Sequence, residues 1–495
     1  MNTTDKFILA IDQGTSSSRA VIYNHEGTVV ANSQQEFTQH YPQPGWVEHD
    51  PNEILESVLN VTKNVLDKTG SVNFVGLGIT NQRETTLIWD RVTGECIYNA
   101  IVWQDRRTAD VCSELKDAGS EKIVTAKTGL CLDPYFSATK IAWILDNVEG
   151  AREKAEAGDL AFGTVDSFLL WHLTGGKEHA TDATNASRTA LFNIHNQCWD
   201  PELLKLFNVP ATLLPEVKDC ASDYGLTSTS VIGLKIPICA IAGDQQAALI
   251  GQAGFFKGMI KSTYGTGCFV ISNTGDVAVQ SSNNLLTTVA YRLEGKTTYG
   301  LEGSIFVAGS AIQWLRDELN IINKASESEN IAVTTGIVDN IHVVPAFAGL
   351  GAPYWDPQAR GAILGLSRDS GINEIVTATL QGIAFQTADL MDAMSEDDIH
   401  PSVIRVDGGM VNNNWFLQFL ADILNLTVER PSDMESTVRG VAYLAGLHVG
   451  LYQSIDDICS LWSSERVFSP MMDEKTRNNL IYGWRNAINT VRNHK

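Results

Sequence analysis

Apolar residues along this chain fall first into a strand-like and then into a helix-like period. The run Phe7-Ile8-Leu9-Ala10-Ile11 leads into Asp12-Gln13-Gly14-Thr15-Ser16-Ser17-Ser18, and Arg19–Tyr23 and Thr28–Glu36 follow. This predicts a three-strand meander with turns at Gly14–Ser18 and Asn24–Gly27. Ile54, Leu55, Val58, Val61 and Val65 then recur at helical spacing,. Asp50 as N-cap, Pro51 at the first helical position and Glu53 three residues on form a capping-box signature for that helix,. Phe74–Thr80 reads as a buried strand leading into the polar turn Asn81-Gln82-Arg83-Glu84-Thr85-Thr86, and Leu87–Asp90 as the next strand, with a turn at Thr93-Gly94. Helices and loops fill Thr108–Asp200. Ile236–Ala242 is a further strand that ends in Gly243-Asp244-Gln245-Gln246.

The pattern restarts in the second half. Met259–Thr263 and Cys268–Ile271 read as strands around the turn Tyr264-Gly265-Thr266-Gly267. Ser310–Leu319 is predicted helical, with Ile312, Leu315 and Leu319 on one face. Val403–Val406 is a strand ending in Asp407-Gly408-Gly409, followed by a helix carrying Trp415, Phe416, Phe419, Leu420, Ile423 and Leu424. The Gly and Ala residues of a last predicted helix, Gly440–Gly450, permit close packing. The chain is thus mixed α/β twice over, with the join near Gln252–Gly258 and a cleft expected between the halves.

Bulk composition narrows the function classes. The 495 residues suffice for two domains, and 44% hydrophobic with 19% charged residues is ordinary for a globular protein,. A formal net charge of -22 argues against a nucleic-acid or anionic-membrane partner,. No apolar run approaches the roughly 18 residues of a spanning helix, and the opening residues pass straight into a strand, unlike a signal peptide. The eight Cys form no C-x-x-C and no zinc-like spacing with His,, which points to free thiols in a reducing, cytoplasmic setting.

The two Gly/Thr turns, about half a chain apart, are the first chemical clue. Glycine lets a backbone approach a phosphate closely, and N–H groups with Ser/Thr hydroxyls can wrap it; ordinary hairpin turns use the same residues. Asp12, ending the first strand, has the chemistry to hold Mg²⁺ through water or to cap its turn. Asp244, at another strand end, has the chemistry to accept a hydroxyl proton or to cap a helix. Arg83-Glu84 offers paired donors and acceptors for a small polyhydroxy compound, or a surface ion pair. Gly408-Gly409 leaves room for an adenine or ribose, or for helix packing. Taken together, two phosphate turns, two separated Asp residues and a polyol kit fit phosphoryl transfer, which rests on positioning and charge neutralisation.

These residues resemble the FGGY carbohydrate kinase family along essentially the whole length. Tyr135–Asn147 fits the family's first signature, and Gly361–Leu366, continuing to Leu380-Gln381, fits the second. Pro44–Pro51, Thr80–Thr86, Ala242–Gln246 and Gly349–Pro357 are typical of its glycerol-phosphorylating members. The resemblance implies an α/β fold of two actin-like, ribonuclease-H-like ATPase domains flanking a nucleotide cleft, here 1–251 with the polyol site and first phosphate loop, and 252–495 with the second loop and the adenosine site. It implies ATP-dependent, in-line phosphorylation of glycerol to sn-glycerol 3-phosphate, the first step of glycerol catabolism, with Asp244 as general base. Arg83, Glu84, Tyr135, Asp244 and Gln245 match residues that hold glycerol hydroxyls, and Trp103 and Phe269 match the aromatic residues flanking its carbons. Thr15, Ser16, Ser17 and Arg19 match the first phosphate loop, and Thr266 and Gly267 the second. Gly309, Gln313, Gly409 and Asn413 match nucleotide contacts, and Asp12 the Mg²⁺-associated carboxylate. The partners implied are glycerol and ATP, without nucleic acid or membrane insertion, in a cytoplasmic homodimer or homotetramer.

The chain departs from the family at Thr227–Lys235, where some bacterial members carry a Gly/Arg loop for fructose 1,6-bisphosphate; that Gly-rich run and its Arg are missing here. No His lies between 196 and 341, where other members carry a phosphorylatable one. The resemblance thus lends no support to either regulation, nor to a sugar-phosphotransferase partner. The nearest alternative is an FGGY kinase for another small polyol or sugar. An actin-like ATP switch would need the nucleotide clamp but no polyol kit.

Overall fold

In the computed structural model, which describes residues 6–493 other than 71 and 357, the first half is built on one five-stranded sheet. Pro357 of the Gly349–Pro357 segment lies outside the described residues. The strands are β1 (Lys6–Gln13), β2 (Ser17–Asn24), β3 (Val29–Glu36), β4 (Asn73–Asn81) and β5 (Ile238–Gly243), in spatial order β3-β2-β1-β4-β5. β1, β2 and β3 form the expected antiparallel meander, whereas β1, β4 and β5 run parallel. Because side chains alternate along a strand, β1 serves two cores. Phe7, Leu9 and Ile11 pack with Leu77 and Ile79 against Ile54, Val58, Val61 and Val65 of helix α1 (Pro51–Thr69) and against Phe168 and Leu169 of α2 (Val165–Thr174). Ile8 and Ala10 face the other way, toward α3 (Asp244–Gly251).

The start of α1 follows the sequence reading only in part. Asp50 is its N-cap and accepts from the Asn52 N–H, with Pro51 first in the helix. The capping box does not form, because the Glu53 carboxylate is drawn away to accept from the Thr38 N–H at 2.8 Å. Glu53 thereby ties the helix to the segment that leaves β3.

The second half repeats the plan with a strand added at each edge. β6 (Ile260–Tyr264), β7 (Cys268–Gly275), β8 (Leu286–Leu293), β9 (Lys296–Ile305), β10 (Val403–Asp407), β11 (Thr427–Pro431) and β12 (Ser464–Phe468) are ordered β8-β9-β7-β6-β10-β11-β12. Without the edge strands β8 and β12 the order is the same as in the first sheet. The directions match too, with antiparallel pairs β6–β7 and β7–β9 and parallel pairs β6–β10 and β10–β11. Helices α4 (Gly309–Asp317), α5 (Ile372–Glu396) and α6 (Asn414–Leu424) bury their apolar faces against it. α4 ends before Leu319, which is exposed while Ile312 and Leu315 are buried.

The halves are joined by a helix that belongs in sequence to the second and packs on the first. α7 (Ser436–His448) places Val438, Val441, Ala442 and Ala445 in one core with Ile8, Ala10, Val21, Ala240 and Ala242 of the first sheet and Ala247 and Ile250 of α3. α3 and α7 cross at Gly251 and Gly440, where a Cβ on Gly440 would overlap the Ala247 carbonyl oxygen and one on Gly251 that of Ser436. Close packing was the expectation for this helix, and the crossing shows where it is needed. Among the described residues no helix is long and apolar enough to cross a membrane.

Candidate active site

Ligand sites in open α/β sheets gather beyond the carboxyl ends of parallel strands, and the predicted site residues come from those ends. The β1–β2 turn carries Thr15 and Ser16, the β6–β7 turn Gly265, Thr266 and Gly267, the end of β4 Arg83 and Glu84, and the end of β5 Asp244 and Gln245. Trp103, Tyr135 and Phe269 join them around one cleft of ≈ 1710 Å³. Asp12, Ser17, Arg19, Gly309, Gln313, Gly409 and Asn413 lie outside this lining.

At the floor of the cleft Arg83 is almost fully buried. Its Nη1 donates to Glu302 Oε2 at 2.6 Å and its Nη2 to Glu302 Oε1 at 3.0 Å, a two-pronged pair,. Nη1 also donates to Gln246 Oε1 at 3.2 Å, and Nε stands 3.3 Å from Asp244 Oδ1. Glu84, held at a positive φ of 60, accepts from Arg188 Nε at 2.7 Å through Oε1, and its carbonyl accepts from Ser137 Oγ at 2.9 Å. Arg188 Nη2 donates in turn to Glu302 Oε1 at 3.0 Å. Burial works to raise the Glu302 carboxyl, but the charges of Arg188 and Arg83 win and hold it down at about 2.

Asp244 is the first residue of α3 rather than its cap; Gly243 holds the cap position, and no side chain caps this helix. Asp244 Oδ1 still accepts from the Gln245 N–H at 2.7 Å in the first turn of the helix. The Asp244 carboxylate is partly exposed to the cleft. Burial pushes it above the usual carboxylate range, with Arg83 and Lys261 opposing. Gln245 accepts through Oε1 from the buried Lys261 Nζ at 2.8 Å, so a cation stands behind the Asp244–Gln245 step.

The aromatic wall is continuous with the first turn. Trp103 meets Tyr135 and Phe269 edge-on, at centroid distances of 5.6 and 6.0 Å. Its indole Nε1 donates to Thr15 Oγ1 at 2.9 Å. Ser17 Oγ accepts from Gln34 Nε2 at 2.9 Å, and Arg19 reaches across to Glu435 while donating to Gln34 Oε1 at 3.0 Å. Asp12 lies opposite Arg19 in the β1–β2 register. Burial pushes its carboxyl up to about 7, with Arg19 opposing and the Asp244 and Glu435 charges adding. Among the described residues no group of three or more His, Cys, Asp or Glu is arranged to hold a metal ion.

On the second half the β6–β7 turn is braced by the start of α4. Gly309 N–H donates to the Gly265 carbonyl at 2.8 Å, and the Ala308 and Ser310 N–H groups donate to that of Thr266 at 2.9 and 3.1 Å. Gln313 is exposed on α4. Gly408 and Gly409 divide the two readings offered for them. Gly408, at φ 93, packs where a Cβ would press on the Tyr264 backbone, whereas a Cβ on Gly409 would meet nothing within 4 Å. Asn413 caps α6, its Oδ1 accepting from the Phe416 N–H at 2.9 Å.

Glu302, Arg188, Lys261 and Gln246 were not singled out from the sequence. Glu302 and Lys261 did leave a trace there, each a lone charge inside a mostly apolar and small-residue strand stretch, Tyr299–Ile305 and Met259–Ser262.

Comparison with known proteins agrees in both halves. The N-terminal domain model of the FGGY family of carbohydrate kinases matches residues 7–251, and its C-terminal domain model matches residues 260–449. A protein of Pseudomonas aeruginosa named glycerol kinase 1 is 60% identical over 488 residues, covering 98% of this chain and 99% of that protein. The crystal structure of Plasmodium falciparum glycerol kinase with ADP superposes with a TM-score of 0.93 at 39% identity, covering 98% of each chain. A gluconate kinase structure from Lactobacillus acidophilus, at 21% identity and a TM-score of 0.90 over 99% of each chain, shares the fold. With its two repeated sheets matched by both domain models, and its length matched almost end to end by these relatives, the chain belongs to the FGGY family of carbohydrate kinases.

Proposed function

We propose that this chain transfers the γ-phosphoryl group of ATP to glycerol, giving sn-glycerol 3-phosphate. The observation that carries the reading is the joint lining of one cleft by Arg83, Glu84, Tyr135, Asp244 and Gln245 together with both Gly/Thr turns. The near full-length likeness to glycerol kinase 1 of Pseudomonas aeruginosa supports the choice of glycerol among possible polyols.

In this reading residues 1–251 hold the polyol and the first phosphate turn, and residues 252–495 hold the second turn and the adenosine. Arg83, Glu84, Tyr135 and Gln245 orient the hydroxyls, and Trp103 and Phe269 flank the carbons. Asp244 takes the proton of the attacking hydroxyl as its oxygen meets the γ-phosphorus in line with the leaving ADP oxygen. Its raised basicity and its opening to the cleft suit that task. Thr15, Ser16, Ser17 and Arg19 from one side, and Thr266 and Gly267 from the other, hold the phosphates. Gly309, Gln313, Gly409 and Asn413 hold the nucleoside; the open space above Gly409 and the exposure of Gln313 are compatible with that.

Asp12 fits a Mg²⁺ ion that arrives with the nucleotide. Its half-buried carboxyl is near the charges of Asp244 and Glu435, and a cation would relieve that crowding. A site of one or two carboxylates plus phosphates is the usual one for Mg²⁺, which there neutralises phosphate charge.

A coupled ADP-release assay with Mg·ATP tests the reading, comparing glycerol, erythritol, xylulose, gluconate and no acceptor. Release that depends on glycerol is expected. A preference for a larger acceptor keeps the mechanism and replaces the substrate, and release indifferent to every acceptor overturns the kinase reading.

A further inference from the structure

Apart from Phe269 the polyol site is assigned to residues of the first half, yet its central arginine is held from the second. Glu302 lies on β9 of the second sheet and is 0% exposed. Its two oxygens receive three N–H donors, two from Arg83 and one from Arg188. Arg188 then grips Glu84 through Nε. One carboxylate therefore reaches both members of the Arg83-Glu84 pair, one directly and one through a single intermediate.

The surroundings leave Arg83 little freedom. Besides Glu302 it meets Gln246 Oε1 at 3.2 Å, Tyr135 Oη at 3.5 Å and Asp244 Oδ1 at 3.3 Å. Three of these partners are themselves proposed or adjacent site residues, so the angle of the guanidinium plane sets the spacing of the whole polyol surface. A paired fork fixes that plane where a single bond would let it rotate. Without Glu302 the two buried guanidiniums would lose the carboxylate they share, and Arg83 would turn toward the carboxylates left within reach, Asp244 at 3.3 Å and Glu84 at 3.9 Å. Glu302 itself is not part of the cleft lining and meets it through Arg83.

We propose that Glu302 is the positioning residue of the polyol site, acting through Arg83 and, by way of Arg188, through Glu84. This rests on the polyol reading given above. Glu302 selects for the acceptor and is indifferent to the nucleotide.

Steady-state kinetics of the full chain test this, with glycerol varied at saturating Mg·ATP and Mg·ATP varied at saturating glycerol. Glu302→Gln keeps the shape and one acceptor oxygen but removes the charge shared by two arginines. The glycerol KM is expected to rise about tenfold or more, as for loss of a charged hydrogen bond, while the KM for ATP stays within about twofold. A merely structural role would reduce the yield of active enzyme without parting the two KM values. An unchanged glycerol KM, or an equal rise in both, overturns the proposal. If Glu302→Gln does not fold, Arg188→Lys decides. It keeps the charge but loses the fork between Glu84 and Glu302, and a glycerol KM raised about threefold or more is expected, whereas a wild-type value overturns the proposal. The unsubstituted chain separates the two readings. If it releases no ADP with glycerol the polyol assignment itself fails; if it does, and both variants keep its glycerol KM, only the positioning role fails.

Discussion

Gly251 and Gly440 meet backbone to backbone where α3 crosses α7, and neither position has room for a side-chain carbon. Because α3 begins at Asp244 and α7 comes from the other half, this contact ties the helix that carries Asp244 to a segment of the second half. Gly440→Ala would force the helices apart, and overpacking of this kind costs about 1–3 kcal/mol or more. A lowered thermal midpoint is expected, with reduced turnover in whatever folds; a midpoint equal to the parent's would show that the crossing yields freely.

Asp244→Asn keeps the volume and an acceptor oxygen near Arg83 but cannot take a proton. The expected result is a fall in kcat of about 10²–10⁴-fold, the usual span for a general base, with a smaller change in the glycerol KM. Near-parental kcat would remove Asp244 from the base role.

Trp103→Phe keeps an aromatic ring between Tyr135 and Phe269 but loses the indole donor to Thr15 Oγ1. A neutral hydrogen bond is worth about 1 kcal/mol, or roughly fivefold. The effect should appear in the KM for ATP, since Thr15 sits in the first turn. A change confined to the glycerol KM would mean that the bond serves only the aromatic wall.

Asp389 supplies a pH test away from the cleft. Its Oδ2 accepts from Trp484 Nε1 at 2.8 Å in a buried setting, and burial pushes its carboxyl up to about 7. The folded chain thus keeps a proton that the unfolded chain releases near pH 4. The stability contributed by this group is full below about pH 4 and declines as pH rises through about 7, by at most about 1.4 kcal/mol per pH unit. Asp389→Asn does not titrate. Its unfolding free energy relative to the parent should climb from pH 4 to 7 and level off above; denaturant unfolding across that range measures it, and parallel curves would refute the buried proton.

The elements nearest the cleft were the most legible in the sequence. The Phe7–Ile11 run, the Gly14–Ser18 turn and the Asp50-Pro51 helix start are local signals, and each folds locally. Glu53 and Leu319 were misread because a competing partner or an early helix end overrode the local pattern. The Arg83–Glu302 pair was out of reach for a different reason. Its members stand 219 residues apart, and no local period announces which strand will bring a lone carboxylate under a distant arginine. Arg188, 104 residues beyond Glu84, was hidden in the same way.

The shared strand order of the two sheets invites a view of the chain as two interchangeable modules, one for the acceptor and one for the nucleotide. The bridge from Arg83 to Glu302 denies that independence. A hybrid that joins residues 1–251 to the second half of a relative lacking a carboxylate at the Glu302 position would keep Arg83, Glu84, Trp103, Tyr135, Asp244 and Gln245 and still lose their alignment. Acceptor choice in this chain is therefore inherited from both halves at once.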